Sequence, residues 1–256
     1  MRHSNKLIMI SALAFPFMAL TPTAQVDAGR LAVEDRLFGF IHEQVSARLY
    51  VLERTGGNLA LHSARSPAAT DLVPNEHDIV AAHANLSPEG RRLATRITTA
   101  MFVEGRLFGF DPITVFTIVD QESHMNMKAL GGVGERGLIQ IRPSTAQAMA
   151  KKMKVKFVAD RLFEPEYNLH IGLAYLKTLK KRYRHYDMAY LDAYNLGPAK
   201  MIQRSIASPA KSKRYVYSQT LARRRAVLVS EFAEHASKMD EGLTSVRRNS
   251  TEKAAM

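Results

Sequence analysis

The chain has 256 residues, 46 % of them apolar, with no cysteine and no tryptophan. That length suits one principal domain with extensions, and the lack of cysteine excludes disulfides, thiolate zinc sites and a lipidated cysteine near the start. The formal charge of +12 is uneven: residues 91–225 hold 25 Lys and Arg against 10 Asp and Glu, whereas 29–90 hold 5 against 8 and 226–256 hold 4 against 5. An anionic partner is therefore expected against the central region.

The first 28 residues read as a secretory leader. Arg2 and Lys6 give a basic start, Leu7 to Leu20 is uncharged and largely apolar, and Val26-Asp27-Ala28 is a cleavage site in small residues. An apolar run of about 14 residues, broken by Pro16, is too short for a bilayer that needs roughly 20. An envelope or secreted location follows, and with it an acidic polymer as the favoured partner.

Residues 29–86 read as an N-terminal extension with a linker. Apolar residues at Val33, Leu37, Ile41, Val45, Leu49 and Leu52 have helical spacing, and Thr55-Gly56-Gly57 ends that helix. Residues 58–76 lack a period and predict a loop, and 77–84 a short helix. Ser87 and Pro88 are a cap and first turn for a helix to about Leu107, and Asp111 with Pro112 opens the next, which carries Asp120 and Glu122. A Gly-rich loop follows Ser123 as far as Gly137. Helices are then predicted from Pro143 to Met153 and from Pro165 to Tyr183, the latter with Leu169, Leu173, Leu176 and Leu179 inward. "DMAYLDAYNLGPAKMI" predicts another helix, stopped between Asn195 and Pro198, and "RYVYSQTLARRRAVLVSEF" the last. The fold class is mostly α, with the main domain over 87–225 and a C-terminal tail over 226–256.

Several motifs carry little. Gly132-Val133-Gly134-Glu135-Arg136-Gly137 matches a dinucleotide fingerprint but lacks the preceding strand. Ser208-Pro209-Ala210-Lys211 matches SxxK without its companion elements. His77 and His83 have no ligand-like neighbours, so no metal is expected. "RLFGF" occurs at Arg36–Phe40 and Arg106–Phe110, followed by unrelated sequence, and reads as coincidence. The runs "KKMKVK" and "KKRYR" read as solvated helix faces.

On a wheel of about 100° per residue, Glu122 lies with Val115, Ile118 and Val119, and Asp120 lies near Ile113 and Phe116. Both faces are apolar, so periodicity does not choose between the two acids. Either carboxyl would be desolvated, which raises its pKa towards that of a general acid working near neutrality.

Five ordered segments narrow the choice: Glu122-Ser123, Gly137-Leu138-Ile139-Gln140, Pro143-Ser144-Thr145-Ala146, Asn168 to Gly172, and Tyr194-Asn195-Leu196-Gly197-Pro198. Together they resemble the soluble lytic transglycosylase (SLT) domain of the lysozyme-like superfamily, over roughly residues 91–225. "FGFDP" is similar to that family's entry to the catalytic helix and "RYVYSQTL" to its closing helix. Three positions depart from the family pattern: Met127 replaces a proline, Glu135 an alanine, and Arg142 a methionine that faces the sugars.

The resemblance implies an α+β lysozyme-like fold and a peptidoglycan lytic transglycosylase that cleaves between N-acetylmuramic acid and N-acetylglucosamine without water. Glu122 would act as acid and then base. Gln140 and Tyr194 would bind the acetamido sugar, with Ser123 supporting, Asn195 bracing the loop and Arg142 at the sugar face. Asp120 is read as structural, and Glu135 as the candidate second acid. No cofactor is implied, and the expected partners are peptidoglycan glycan strands bound by a monomer. No nucleic acid is expected, since neither a known module nor aromatics interleaved with the basic runs are evident. The acidic 29–86 segment could fold over the basic cleft or dock a secretion or envelope apparatus. Rival readings are a goose-type lysozyme and a non-catalytic wall-binding component.

Overall fold

The computed structural model describes residues 22–56, 74, 76–185, 188–207 and 216–254. Among them nine α-helices follow in order: α1 (Pro22–Arg54), α2 (Glu76–Asn85), α3 (Pro88–Phe108), α4 (Pro112–Ser123), α5 (Pro143–Met153), α6 (Pro165–Arg182), α7 (Ala189–Leu196), α8 (Pro198–Ala207) and α9 (Val216–Ala254). A 3-10 turn, Ala159–Phe163, lies between α5 and α6. Two antiparallel bridges, Leu130 with Arg136 and Arg136 with Ile141, are the β-structure of the described residues. The mostly α class is thus what the chain adopts. Residues 1–21 of the expected leader, most of the expected 58–76 loop and the SxxK motif lie outside the described residues. The expected cleavage residues fall within the bounds of α1.

The chain divides after Asp35 into two units. In the first, Arg30 and Glu34 form an exposed ion pair one helical turn apart, and Leu31 and Val33 are exposed.

The second unit begins at Arg36. Helices α3 to α6 each open on a proline, whose fixed φ and missing N–H suit the first helical position. Ser87 Oγ accepts the Gly90 N–H at 2.9 Å, and Asp111 accepts the Thr114 N–H at 2.9 Å, as their residue types lead one to expect. Gly109 closes α3 at φ 78°, a left-handed position that glycine takes without strain. Helix α6 packs on α3, α5 and α7, and α4 packs on α3 and α9. The sides of α4 are filled by Ile113, Val115, Phe116, Ile118 and Val119, all buried.

Three expectations are corrected. Residues 36–54 are not an extension: Phe40, Ile41, Val45, Leu49 and Leu52 share one core with α4 and α6. Glu53 also accepts both the backbone N–H (3.2 Å) and the hydroxyl (2.5 Å) of Ser87, and so ties the end of α1 to the start of α3. Second, α9 does not stop near Phe232. It continues past it, with Leu228 buried, Phe232 against the Phe40 ring at 5.6 Å and Asp240 paired bidentately with Arg36. Residues 226–240 are thus packed helix rather than tail. Third, "DMAYLDAYNLGPAKMI" holds not one helix but two: the first ends at Leu196, within the expected stop, and Pro198 opens a second, α8. The two "RLFGF" copies differ in conformation, one inside α1 and the other spanning the left-handed end of α3, which agrees with coincidence.

A buried ion pair ties α1 to α4. Arg48 on α1 donates through Nε (2.5 Å) and Nη2 (3.1 Å) to the two carboxylate oxygens of Asp120 on α4, with side-chain exposures of 4 % and 7 %. Arg48 also donates to Gln44 and lies over the Phe116 ring at 4.6 Å, while Arg224 of α9 approaches Asp120 at 3.4 Å. Removing one partner of such a pair strands a buried charge. Arg48→Ala is expected to cost about 3 kcal/mol or more of stability, read by urea denaturation, whereas Arg30→Ala on the exposed pair should change it by less than about 1 kcal/mol. Equal small effects would mean that the buried pair does not hold the fold.

Candidate active site

Two elements define the site: the C-terminal turn of α4 and the loop from Ala129 to Ile141. The loop is folded on itself by backbone bonds, Gly137 N–H to Ala129 O at 3.0 Å, Gly131 N–H to Glu135 O at 2.8 Å and Arg136 N–H to Ile141 O at 3.1 Å. It is then pinned from below by Asn168. That side chain is fully buried, accepts the Ile139 N–H (2.9 Å) and donates to Arg136 O (2.9 Å) and Leu162 O (2.8 Å). One turn on, Gly172 lets Ile139 approach so closely that an added Cβ would stand 2.3 Å from Ile139 Cγ2. Gly137, at φ 74°, has room for no Cβ because Leu162 O would be 2.1 Å away. The Asn-x-x-x-Gly spacing thus places an amide and a gap on one face of α6, and both fix the loop.

On this frame Gln140 adopts φ 50°. Its Nε2 donates to Ala129 O (3.1 Å) and Gly137 O (2.9 Å), so both amide hydrogens are used and its Oε1 remains an acceptor. A substrate N–H or O–H suits it. Tyr194, in the last turn of α7, donates its phenolic hydrogen to Ile139 O at 2.6 Å and stacks obliquely on Tyr175 at 5.7 Å. Burial, with the charge of Glu122 adding to it, pushes the phenol well above its usual range, so Tyr194 stays neutral.

Glu122 is half-buried and faces no cation among the described residues. Burial pushes its carboxyl up to about 7; the hydrogen bond from the Tyr217 hydroxyl opposes this and the charge of Glu135 adds to it. Asp120, two residues earlier, has the opposite fate. Burial would raise it, but the Arg48 guanidinium and the His124 ring outweigh burial and hold it below the usual carboxylate range. The two acids are thereby separated into a proton carrier and a fixed charge.

The other expected site residues fare differently. Ser123 is fully buried and donates to Val119 O at 3.1 Å, so its hydroxyl is held by the helix backbone. Asn195 is exposed in the last turn of α7. Arg142 is paired through Nε with Glu135 Oε1 at 3.0 Å, so two of the positions that depart from the family pattern meet each other. Tyr217 was not singled out from the sequence. It stands in "RYVYSQTL", in the first turn of α9. A cavity of about 340 Å³ lies at the other end of α4, lined by Phe110, Thr117, Tyr190 and Leu221 among others, and holds none of Glu122, Gln140 or Tyr194. No group of three or more His, Asp or Glu able to hold a metal occurs among the described residues.

Glu122, whose carboxyl burial pushes up to about 7, accepts from the Tyr217 hydroxyl and feels the charge of Glu135, while Gln140 and the neutral Tyr194 phenol are held by the pinned loop. Residues 100–217 match the transglycosylase SLT domain. The soluble lytic murein transglycosylase of Escherichia coli K12 is 34 % identical over 86 residues, covering 33 % of this chain and 13 % of that protein. Its Salmonella typhimurium counterpart is 35 % identical over 86 residues, with the same coverages of 33 % and 13 %. The chain therefore spans only 13 % of the length of these relatives. Among solved structures, an inactive mutant of a Pseudomonas aeruginosa lytic transglycosylase aligns with a TM-score of 0.43 at 23 % identity, covering 69 % of this chain and 30 % of that one. The 70 kDa soluble lytic transglycosylase of Escherichia coli aligns with a TM-score of 0.40 at 17 % identity, covering 85 % and 45 %.

A carboxyl raised by folding contributes stability while protonated and loses it as pH rises through its folded value near 7. Glu122→Gln is therefore expected to be more stable than the parent at pH 8, by on the order of 2 kcal/mol, with the difference vanishing towards pH 4; thermal denaturation across that range reads it. Tyr217→Phe removes the bond that favours the ionised form and should move the Glu122 titration upward, measured by NMR of the side-chain carboxyl.

Proposed function

We propose that this chain is a peptidoglycan lytic transglycosylase that cleaves the β-1,4 bond between N-acetylmuramic acid and N-acetylglucosamine and leaves 1,6-anhydromuramyl ends. The observation that carries the reading is Glu122: a half-buried carboxyl with no cationic partner among the described residues, pushed up to about 7, accepting from the Tyr217 hydroxyl and near enough to Tyr194 for its charge to act on that phenol. The other nearby acids are occupied, Asp120 by Arg48 and Arg224 and Glu135 by Arg142. One free carboxyl suits a substrate-assisted route rather than a two-carboxylate one.

In that route protonated Glu122 gives its hydrogen to the glycosidic oxygen as the bond from that oxygen to the anomeric carbon breaks, and the N-acetylglucosamine leaves with a 4-hydroxyl. The muramyl acetamido oxygen holds the developing positive charge at the anomeric carbon. Glu122, now ionised, takes the proton of the muramyl C6 hydroxyl, and O6 closes onto the anomeric carbon. Atoms balance without water, and Glu122 ends protonated as it began. Gln140 Oε1 accepts from a sugar N–H or O–H, and the neutral Tyr194 oxygen lies beside the reacting centre without competing for the proton.

Such a substrate places the protein in the cell envelope, periplasmic or secreted. No helix among the described residues is long and apolar enough to cross a membrane. The domain that performs the reaction begins at Arg36 rather than Ser87, since Arg48 neutralises Asp120. A second reading, hydrolysis of the same bond, rests on Glu135, whose charge reaches Glu122 and which could activate a water.

Purified peptidoglycan treated with the full mature protein is expected to release anhydro-muropeptides, identified by mass spectrometry as lighter by one water than reducing-end products. Glu122→Gln should lower their formation roughly 100-fold or more. Reducing-end products would favour the hydrolytic reading, and activity retained by the variant would remove Glu122 from the reaction.

A further inference from the structure

Arg142 has more hydrogen-bonding capacity than its ion-pair partner takes up. A guanidinium carries five N–H donors in a planar fork. Among the described residues only Nε is engaged, by Glu135 Oε1 at 3.0 Å, and nothing bonds Nη1 or Nη2. Glu135 accepts the Val133 N–H at 3.1 Å through its other oxygen, so the loop holds the carboxylate and the carboxylate holds the guanidinium by one edge. The Arg142 backbone is fixed as well: it precedes α5 at φ −68° and ψ 136°, and its carbonyl accepts the Ala146 N–H at 2.9 Å. Its side chain is 56 % exposed against 19 % for Glu135, which puts the carboxylate inside and the guanidinium at the rim. Gly131 ties the pair to the site by distance: a Cβ there would lie 2.5 Å from Glu135 Oε2 and 2.8 Å from Gln140 Oε1, so both side chains stand over the same glycine.

We propose that Arg142 determines specificity in the cleft: its Nη1 and Nη2 groups bind a carboxylate carried by the muramyl unit of the glycan strand. The inference rests on the site taking peptidoglycan, as proposed above, and names the part of that polymer which this chain selects. The sugar rings offer hydroxyls and acetamides; carboxylates occur on the lactyl ether of muramic acid and on the peptide it bears. A carboxylate meets a guanidinium edge through two parallel charge-assisted bonds, which a hydroxyl or an amide does not reproduce. A methionine at this position, as in the family pattern, would offer the strand an apolar surface that does not distinguish charged from neutral. Glu135 is what makes the arginine useful. Held by its Nε edge, the guanidinium loses less freedom when a second carboxylate arrives at the other edge. Asp120 shows the same sharing in reverse, one carboxylate between Arg48 and Arg224. The excess of 25 Lys and Arg over 10 Asp and Glu in residues 91–225 favours the approach of such a strand.

The test compares charged and neutral versions of one strand. Soluble glycan strands are prepared with their stem peptides, and also after an amidase has removed the peptides and freed the lactyl carboxyl. A portion of each is treated with carbodiimide and ammonium, which turns its carboxyls into neutral amides. Anhydro-end formation at low substrate, which reads kcat/KM, is measured for the full mature protein, Arg142→Met and Arg142→Lys. The parent is expected to favour charged over amidated strands by about fivefold or more. Arg142→Met should bring that ratio towards unity, and Arg142→Lys, which keeps the charge without the fork, should fall between. A preference seen on stripped strands assigns the carboxylate to the lactyl group; one confined to peptide-bearing strands assigns it to the stem. A parent ratio of unity, or a ratio that Arg142→Met leaves intact, would overturn the proposal. Mere loosening of the loop lowers both rates together and keeps the ratio. Calorimetric binding of the same strands to Glu122→Gln, with and without Arg142→Met, separates this contact from the reaction. Charge-dependent binding that Arg142→Met abolishes, together with no anhydro ends from the parent, would count against the reaction and uphold the Arg142 contact.

Discussion

A carboxyl group on a helix buried on all sides must either find a cation or keep its proton, and the structure around α4 follows from how its two acids meet that condition. Asp120 finds Arg48. Because Arg48 comes from α1 and Arg224 from α9, satisfying one carboxylate draws both of those helices against α4. Among the described residues, Glu122 finds a hydroxyl and no cation, the hydroxyl coming from Tyr217 at the start of the same α9. A charged and a protonated carboxyl two residues apart are thus products of one packing arrangement.

The loop opposite is held by a different device. Asn168 uses both ends of its amide on three backbone groups of the 136–162 region, and Gly172 and Gly137 permit contacts that any side chain would block. This rigidity gives Gln140 its defined orientation, since its two donors are consumed by carbonyls of the same loop. A loop built this way holds its side-chain acceptors in fixed directions. The pair formed by Glu135 and Arg142 adds charge to that frame without leaving either partner unmatched.

Much of this was legible in the sequence. Prolines and capping residues located the starts of α3, α4, α5 and α6 to within a residue or so, because those signals act locally. Glu122, Gln140 and Tyr194 were reached through motif order; Gln140 and Tyr194 are held on one loop, and Glu122 stands at the end of α4. Tertiary facts were less accessible. Nothing local says that Arg48 belongs to Asp120, 72 positions away, so residues 36–54 looked separable and Asp120 looked merely structural without a partner. Ser123 sits beside Glu122 in sequence yet points into the core, since successive residues of a helix face different directions. The full length of α9 was hidden because its later turns are polar and are held by Arg36 and His235 contacts rather than by a continuous apolar stripe.

The central claim is that one carboxyl serves as acid and then base with no water taking part. The most direct measurement is to run the reaction on purified peptidoglycan in H₂¹⁸O and to examine the new muramyl ends by mass spectrometry. The account predicts anhydro ends carrying no ¹⁸O from the first products onward. New reducing ends bearing ¹⁸O at the anomeric position would contradict it, because they would require water, and a group to activate it, at the centre of the mechanism.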